Sequence, residues 1–185
     1  MKFKLVYVCL IVSACQLKLF GQNVAIPSKS DTLKGSITEG RAWWDLKHYA
    51  IDVTPDILKK SITGKNRITF TVIKGNDSEF MQVDLQSPLT LDSAIYAYKK
   101  VPKHKTGDAW FLKLPNLRRN SQVTVDIYYS GIPKESFNPP WDGGISWLAD
   151  SLGRPWITMG IQTLGASYGS PAKSIKVTNR MMGFQ

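Results

Sequence analysis

Hydrophobic residues alternate with polar residues along three separate stretches of this chain. The alternating apolar positions are Tyr49, Ile51 and Val53, then Ile68, Phe70 and Val72, and then Val123, Val125 and Ile127. A period of two places every second side chain on one face of a β-strand. Beyond residue 22, no stretch shows the 3.6-residue period of a three-turn amphipathic helix. The chain is therefore expected to fold as strands.

Four further stretches are typical of strands and are separated by residues that favour turns. They are Met81 to Leu85, Leu89 to Tyr98, Trp110 to Leu114 and Trp156 to Gly160. Seven or more short strands at this spacing predict an all-β fold, an antiparallel sandwich or curved sheet. With 185 residues, of which 43% are hydrophobic and 21% charged, the chain is expected to form one globular domain.

Residues 1–22 have the pattern of a signal peptide. Lys2 and Lys4 precede an apolar run, Leu5 to Ala14, that is too short to span a bilayer. Two processing sites fit: a lipobox ending at Cys15, and a simpler cleavage site before Asn23. The second is favoured, because Cys15 is followed by apolar residues and Lys18 instead of a polar tether. The protein is thus expected to be exported, as a periplasmic, secreted or outer-membrane-associated protein. It would be membrane-attached only if lipidated at Cys15.

Few residues could form a metal site or an active site. Cys9 and Cys15 both lie in the leader, and the only histidines are His48 and His104, so neither a disulfide nor a zinc site can be assembled in the mature chain. Common catalytic motifs, including H-E-x-x-H, are absent. Asp142 and Asp150 could form a carboxylate pair, although ordinary turn aspartates are the simpler interpretation. No self-sufficient active site is predicted.

The net charge of +10 is concentrated outside the predicted domain, and residues 23–172 retain only +4. The strongest basic cluster in that region is Lys99, Lys100, Lys103, His104 and Lys105. We interpret it as a solvated hairpin loop, with an anionic surface or nucleic acid as the alternative. A nucleic-acid partner is not expected.

Two segments near the carboxyl end are the most distinctive: NPPWDGGISW, from Asn138, and IQTLGAS, from Ile161. Adjacent glycines permit a tight turn or a close backbone approach. Together with three earlier blocks, WWDLKHYAIDVTPD, ITGKNRITFTV and MQVDLQSPLTLDS, they make the chain resemble a known domain. It is similar to the amino-terminal domain of exported bacterial zinc aminopeptidases of the aminopeptidase N-like (gluzincin) family. The resemblance covers residues 41–167 and implies a saddle-shaped antiparallel β domain, preceded by a flexible lead-in at residues 23–40.

The resemblance also implies roles for particular residues. Gln162 matches a position that contributes a polar side chain to the peptide-binding pocket. Trp141, Asp142, Gly143 and Gly144 match a turn at the interface with the catalytic domain, and Trp147 and Trp156 would be core or interdomain contacts. Zinc and its ligands would belong to that catalytic domain, so this chain is expected to bind no cofactor. Its expected partners are the catalytic domain and, through Gln162, a peptide.

The resemblance fades after Ser167, and residues 168–185 are interpreted as a divergent tail at the start of a missing catalytic part. The sequence therefore predicts a fragment that is inactive alone. The competing hypothesis is a stand-alone β-sandwich that grips peptide or glycan through Trp43, Trp44, Trp141 and Trp147. A large exposed apolar patch around residues 141–164 would favour the first interpretation.

Overall fold

A computed structural model describes residues 33, 35–75, 80–139, 141–161 and 165–174 of the chain. In this part of the chain, a one-turn helix α1 (Glu39–Ala42) precedes ten β-strands, and a 3-10 helix (Ala166–Tyr168) follows them. The strands are β1 (Trp44–Asp56), β2 (Ser61–Val72), β3 (Phe80–Asp84), β4 (Thr90–Tyr96), β5 (Lys99–Lys100), β6 (Lys103–Thr106), β7 (Ala109–Lys113), β8 (Gln122–Gly131), β9 (Gly144–Ala149) and β10 (Pro155–Gly160). The described fold is all-β and antiparallel, as predicted.

The strands form three sheets. The largest has the order β1-β2-β8-β4-β5, the second has the order β3-β7-β6, and β9 pairs with β10 in a separate hairpin. Every pairing between strands is antiparallel. In the large sheet, β8 lies between β2 and β4, so strands distant in sequence are direct neighbours.

The first two sheets enclose one hydrophobic core. The alternation along β2 and β8 places Ile68, Phe70, Val125 and Ile127 on the inner face of the large sheet, where each is fully buried. The second sheet contributes Met81, Val83, Trp110 and Leu112 to the same cluster. Because both sheets bury one face in a shared core, the described domain is a β-sandwich.

An aromatic cluster closes one side of this core. Trp43 and Trp44 contact Phe70 edge-on, with ring centroids 5.7 and 5.3 Å apart. Both indoles donate hydrogen bonds to backbone oxygens, those of Phe80 and Gly40 respectively. These two tryptophans are 3% and 0% exposed. The hypothesis that they grip a ligand is therefore wrong, because the β1 start places both of them inside the core.

The basic cluster is largely exposed to solvent, as expected, but it does not form a loop. Its residues form the short strands β5 and β6, and the ammonium groups of Lys103 and Lys105 lie 4.8 and 5.2 Å from the Trp110 ring centroid. Stacking on a ring face allows a lysine stem to cover apolar surface while its charge stays near water.

Residues 171–174 run back across the opening of the sandwich. The backbone of Ala172 exchanges two hydrogen bonds with Asp84, and Asn66 donates to the oxygen of Pro171. The Asp84 carboxylate accepts from buried Arg41 at 2.5 Å and from the Ser174 amide at 3.2 Å. Burial raises the pKa of Asp84, against the opposing effect of the Arg41 charge. One carboxylate thus links α1 to the last described residues.

Candidate functional site

The glycine pair forms the tight turn that the sequence predicted. Gly143 has φ 67° and Gly144 has φ 131°, and both are buried. A Cβ atom on Gly144 would lie 2.8 Å from the Ser136 nitrogen and 3.0 Å from the Lys134 oxygen. Only glycine fits such a position, because a side chain would strain the backbone and collide with the neighbouring loop.

Asp142 holds that neighbouring loop in place. Its carboxylate accepts hydrogen bonds from the Ser136 hydroxyl at 2.5 Å and from the amides of Phe137 and Asn138 at 2.7 and 3.1 Å. The Ser136 hydrogen bond is the main reason that the pKa of Asp142 is lowered. The role of this side chain in the described structure is to cap a turn.

The residues after the turn extend the contact and begin β9. The Ile145 amide donates to the Lys134 oxygen, and the Ser136 amide donates to the Ile145 oxygen, each at 3.0 Å. The Tyr168 hydroxyl donates to the same Lys134 oxygen at 2.6 Å. Burial raises the pKa of Tyr168 to about 12. The glycine turn, the loop before it and the 3-10 helix therefore form one connected structure.

The hairpin of β9 and β10 carries apolar side chains on both of its faces. Leu148 and Trp156 are cross-strand partners on one face, and they are 55% and 58% exposed. Ile157 and Met159 lie on the opposite face and are also partly exposed, while Trp147 packs against the core. The face with Ile157 and Met159 also carries their cross-strand partners Trp147 and Ile145, which pack against the core. The exposed apolar pair on the other face is typical of a surface that a partner covers.

Exposed hydrophobic residues continue beside the hairpin. Trp141 is 67% exposed and Phe137 is 87% exposed, and Ile161 at the end of β10 is 49% exposed. Trp141 and Trp156 are therefore not core residues of the described domain. Their role as interdomain contacts, which the resemblance implied, stays a prediction.

Gln162 lies outside the described residues. Its flanks are described: Ile161 follows β10, and the Gly165 amide donates to the Ile161 oxygen at 3.0 Å. Gly165 has φ 77° and leads into the 3-10 helix. The role of Gln162 in binding a peptide remains a prediction.

The carboxylates of Asp142 and Asp150 do not have the properties of a catalytic pair. Asp150 accepts hydrogen bonds from the Arg154 amide, the Arg154 guanidinium and the Leu152 amide, at 2.7 to 2.9 Å. These contacts, with that of the Arg154 amide first, lower the pKa of Asp150. A carboxyl that acts as a general acid needs a raised pKa instead. Each aspartate instead accepts hydrogen bonds that stabilise the turn in which it lies.

The described residues do not fit a zinc ion. In the part of the chain that the structure describes, no three His, Cys, Asp or Glu residues are grouped so that they could hold a metal. His104 instead stacks on Phe111, with ring centroids 4.8 Å apart.

In the part of the chain that the structure describes, no helix is long and apolar enough to cross a membrane.

Two residues of this region were not predicted from the sequence. Ser136 gave no signal because a single serine in a loop is common, although its position six residues before Asp142 fits a capped turn. Tyr168 was assigned to the divergent tail, because its partner, the Lys134 oxygen, is distant in sequence.

Comparison with solved structures identifies the class of fold. The chain is similar to the M1 zinc metallopeptidase of Deinococcus radiodurans, in a structure bound to a Tyr-Ser-Ala substrate, with a TM-score of 0.53 and 18% identity over 74% of this chain and 30% of that enzyme. It is also similar to the leukotriene A4 hydrolase of Saccharomyces cerevisiae in complex with bestatin, with a TM-score of 0.56 and 14% identity over 71% of this chain and 21% of the hydrolase.

At these identities the likeness shows the fold, which is that of the amino-terminal β domain of M1 zinc metallopeptidases. The chain spans less than a third of the length of either enzyme. No protein-family model matches the sequence, and no curated protein does.

Proposed function

We propose that this chain provides the non-catalytic amino-terminal domain of an exported zinc-dependent metalloaminopeptidase, which removes amino-terminal residues from peptides. The β9–β10 hairpin would face the catalytic domain, and Gln162 would form part of the wall of the peptide-binding pocket. Zinc and the groups that activate water would come from the catalytic domain. The signal-peptide pattern of residues 1–22 supports export to the periplasm, the outer membrane or the medium.

The observation that carries this proposal is the apolar surface of the hairpin. Leu148 and Trp156 on the outer face are 55% and 58% exposed, and Ile157 and Met159 at the edge of the face that packs on the core are 37% and 43% exposed. The surface ends at Ile161, next to Gln162. A partner that covered the hairpin would therefore come close to Gln162. The alternative of a stand-alone module loses support because two of its four proposed tryptophans are buried.

An aminopeptidase assay on the purified chain tests the proposal. The chain is incubated with added zinc and a panel of amino-acid anilides, and bound metal is measured in parallel. We expect neither hydrolysis nor bound zinc. Hydrolysis with one zinc per chain would overturn the proposal, because it would require a ligand set within this chain.

The role of Gln162 needs the catalytic domain, supplied in the same chain or as a second chain. In that enzyme, Gln162→Ala is expected to raise KM by about tenfold, because the amide would no longer hold the substrate amine. Gln122→Ala, which changes a glutamine on β8 of the large sheet, is the matched control and should leave KM unchanged. Equal KM values for the wild type and Gln162→Ala would remove Gln162 from the pocket.

A further inference from the structure

A notch opens in the large sheet where β4 and β8 separate. The ladder between these strands ends at the pair Ile95 and Asp126, whereas β8 continues along β2 as far as Gln122. The notch has a volume of about 350 Å³, within the range of small-molecule sites. Its walls are the β4–β5 turn on one side and the first residues of β8 on the other. The lining residues that matter here are Arg67, Tyr96, Tyr98, Gln122, Thr124 and Asp126.

The turn beside the notch has an unusual backbone. β4 and β5 are joined by only two residues, Ala97 and Tyr98, with φ values of 48° and 64°. A two-residue hairpin turn with both φ values positive strongly prefers Asn-Gly, because side chains other than those of Asn and Asp are disfavoured there. Strained backbone of this kind is found preferentially at functional sites. Here it displays a fully exposed tyrosine, Tyr98, at the rim of the notch.

The polar groups of the notch are arranged by the sheet register. Arg67 and Asp126 are cross-strand partners, and the guanidinium donates to both carboxylate oxygens at 2.6 and 2.8 Å. Two of the five N–H donors of Arg67 are directed at Asp126, and the Arg67 side chain remains 52% exposed. Asp126 also pairs with Lys65 at 3.2 Å. The floor therefore presents fixed donors and acceptors side by side.

The chemistry of the notch selects a neutral ligand that is both apolar and polar. An anion would lie beside the Asp126 carboxylate, which already pairs with both Arg67 and Lys65. A purely apolar ligand would remove the charged pair from water without replacing its hydrogen bonds. A sugar ring is neutral and offers both apolar and polar contacts. Its C–H face packs on an aromatic ring, and its hydroxyl groups both donate and accept hydrogen bonds.

We propose that this notch binds a neutral saccharide, with Tyr98 stacking on the apolar face of a sugar ring and the Arg67–Asp126 pair hydrogen-bonding its hydroxyl groups. Gln122 and Thr124 lie on the same face of β8 as Asp126 and provide further amide and hydroxyl groups. This site uses neither the glycine turn nor the β9–β10 hairpin, so it does not depend on the function proposed above.

Calorimetric titration of the full chain tests the proposal. The probes are cellohexaose, maltohexaose, xylohexaose, laminarihexaose and chitohexaose, with polygalacturonate as an anionic comparison. At least one neutral hexasaccharide should bind with a Kd of about 0.01 to 1 mM, as expected for a single exposed notch. No binding of any neutral probe up to about 10 mM, or binding of polygalacturonate alone, would overturn the proposal.

Variants at the rim locate the site. Tyr98→Ala should weaken binding by about tenfold, and Tyr98→Phe should retain it within about threefold because stacking does not need the hydroxyl. Tyr128→Ala is the matched control, since Tyr128 is also partly exposed on the large sheet but does not line the notch. Equal losses in Tyr98→Ala and Tyr128→Ala would contradict the proposed position.

A second variant separates binding from folding. Replacing both turn residues, Ala97→Gly with Tyr98→Gly, supplies the residue that positive φ angles prefer. This variant should unfold at the same temperature as the wild type or higher, and it should weaken saccharide binding by about tenfold, as Tyr98→Ala does. Retained binding in this variant would overturn the role of Tyr98.

Discussion

At Gly144 both the backbone conformation and the space around it require glycine. Because its φ is 131° and a Cβ would approach the Ser136 nitrogen to 2.8 Å, Gly144→Ala should lower the free energy of unfolding by about 2 to 4 kcal/mol. Gly153→Ala is the control: Gly153 also has a positive φ, 75°, but its Cβ would meet open space, so we expect about 1 to 2 kcal/mol. Urea denaturation measures both, and equal losses would show that the Ser136 loop moves aside.

Tyr129 offers a test of a buried hydroxyl. Its hydroxyl oxygen is buried and has no hydrogen-bond partner in the described structure. Tyr129→Phe should therefore leave the free energy of unfolding unchanged or raise it by about 1 kcal/mol. Tyr49→Phe is the matched variant and should lower it by about 1 kcal/mol, because the Tyr49 hydroxyl accepts from the Lys173 amide at 2.7 Å.

The same residue gives a pH dependence with a defined sign. Burial raises the pKa of Tyr129 from 10.0 to about 12. Between these values the unfolded state releases the proton and the folded state retains it, so stability falls as the pH rises from 10 towards 12. Thermal unfolding across this window should show a shallower decline for Tyr129→Phe than for the wild type. Identical slopes would contradict the raised pKa.

At the scale of single residues, the sequence predicted features that depend only on adjacent residues in the chain. The tight turn at Gly143 and Gly144 follows from adjacent glycines, and it was found. The Ser136 hydroxyl and the Lys134 oxygen that surround the turn were not predicted, because they come from a loop whose position depends on the whole fold. The burial of Trp43 and Trp44 was missed because a tryptophan pair before a strand suits either a core or a binding surface.

Among the elements, the outer face of the β9–β10 hairpin, with Leu148 and Trp156, should contribute little to the stability of the domain. Leu148→Ser with Trp156→Ser should change the free energy of unfolding by less than about 1 kcal/mol, since both side chains are more than half exposed. The same change should markedly reduce the fluorescence of a bound hydrophobic dye. Leu58→Ser, at an exposed leucine in the β1–β2 turn, is the control. A loss of more than about 2 kcal/mol would place the hairpin face within the domain core.

Strand existence was predictable, and strand partnership was not. Alternation identified β1, β2 and β8 because each has one apolar face. The insertion of β8 between β2 and β4 depends on contacts across more than thirty residues, which a local pattern does not record. The sequence predicted a loop at β5 and β6 because four of their six residues are lysines. Two of these, Lys103 and Lys105, lie over the Trp110 ring in the folded domain.

For the whole molecule, the segment after the 3-10 helix should be essential to the sandwich. Removing residues 168–185 deletes the Ala172–Asp84 hydrogen bonds and leaves buried Asn66 without the Pro171 oxygen. We expect a loss of about 3 kcal/mol or more, which lowers the Tm by about 6 to 12 °C. Removing only residues 175–185 keeps these contacts and should preserve the Tm. Equal Tm values for the two variants would support residue 167 as the domain boundary, which remains a prediction.

The carboxylate of Asp84 joins residues from opposite ends of the described domain. It accepts from Arg41 in α1 and from the Ser174 amide, so the chain enters and leaves the sandwich at one point. A force applied between residues 41 and 174 would therefore act on the contacts of Asp84 with Arg41 and Ser174 before it acted on the hydrogen bonds between strands. The two ends of the β-sandwich would then stay together under a moderate pull, and its sheets would not be stretched.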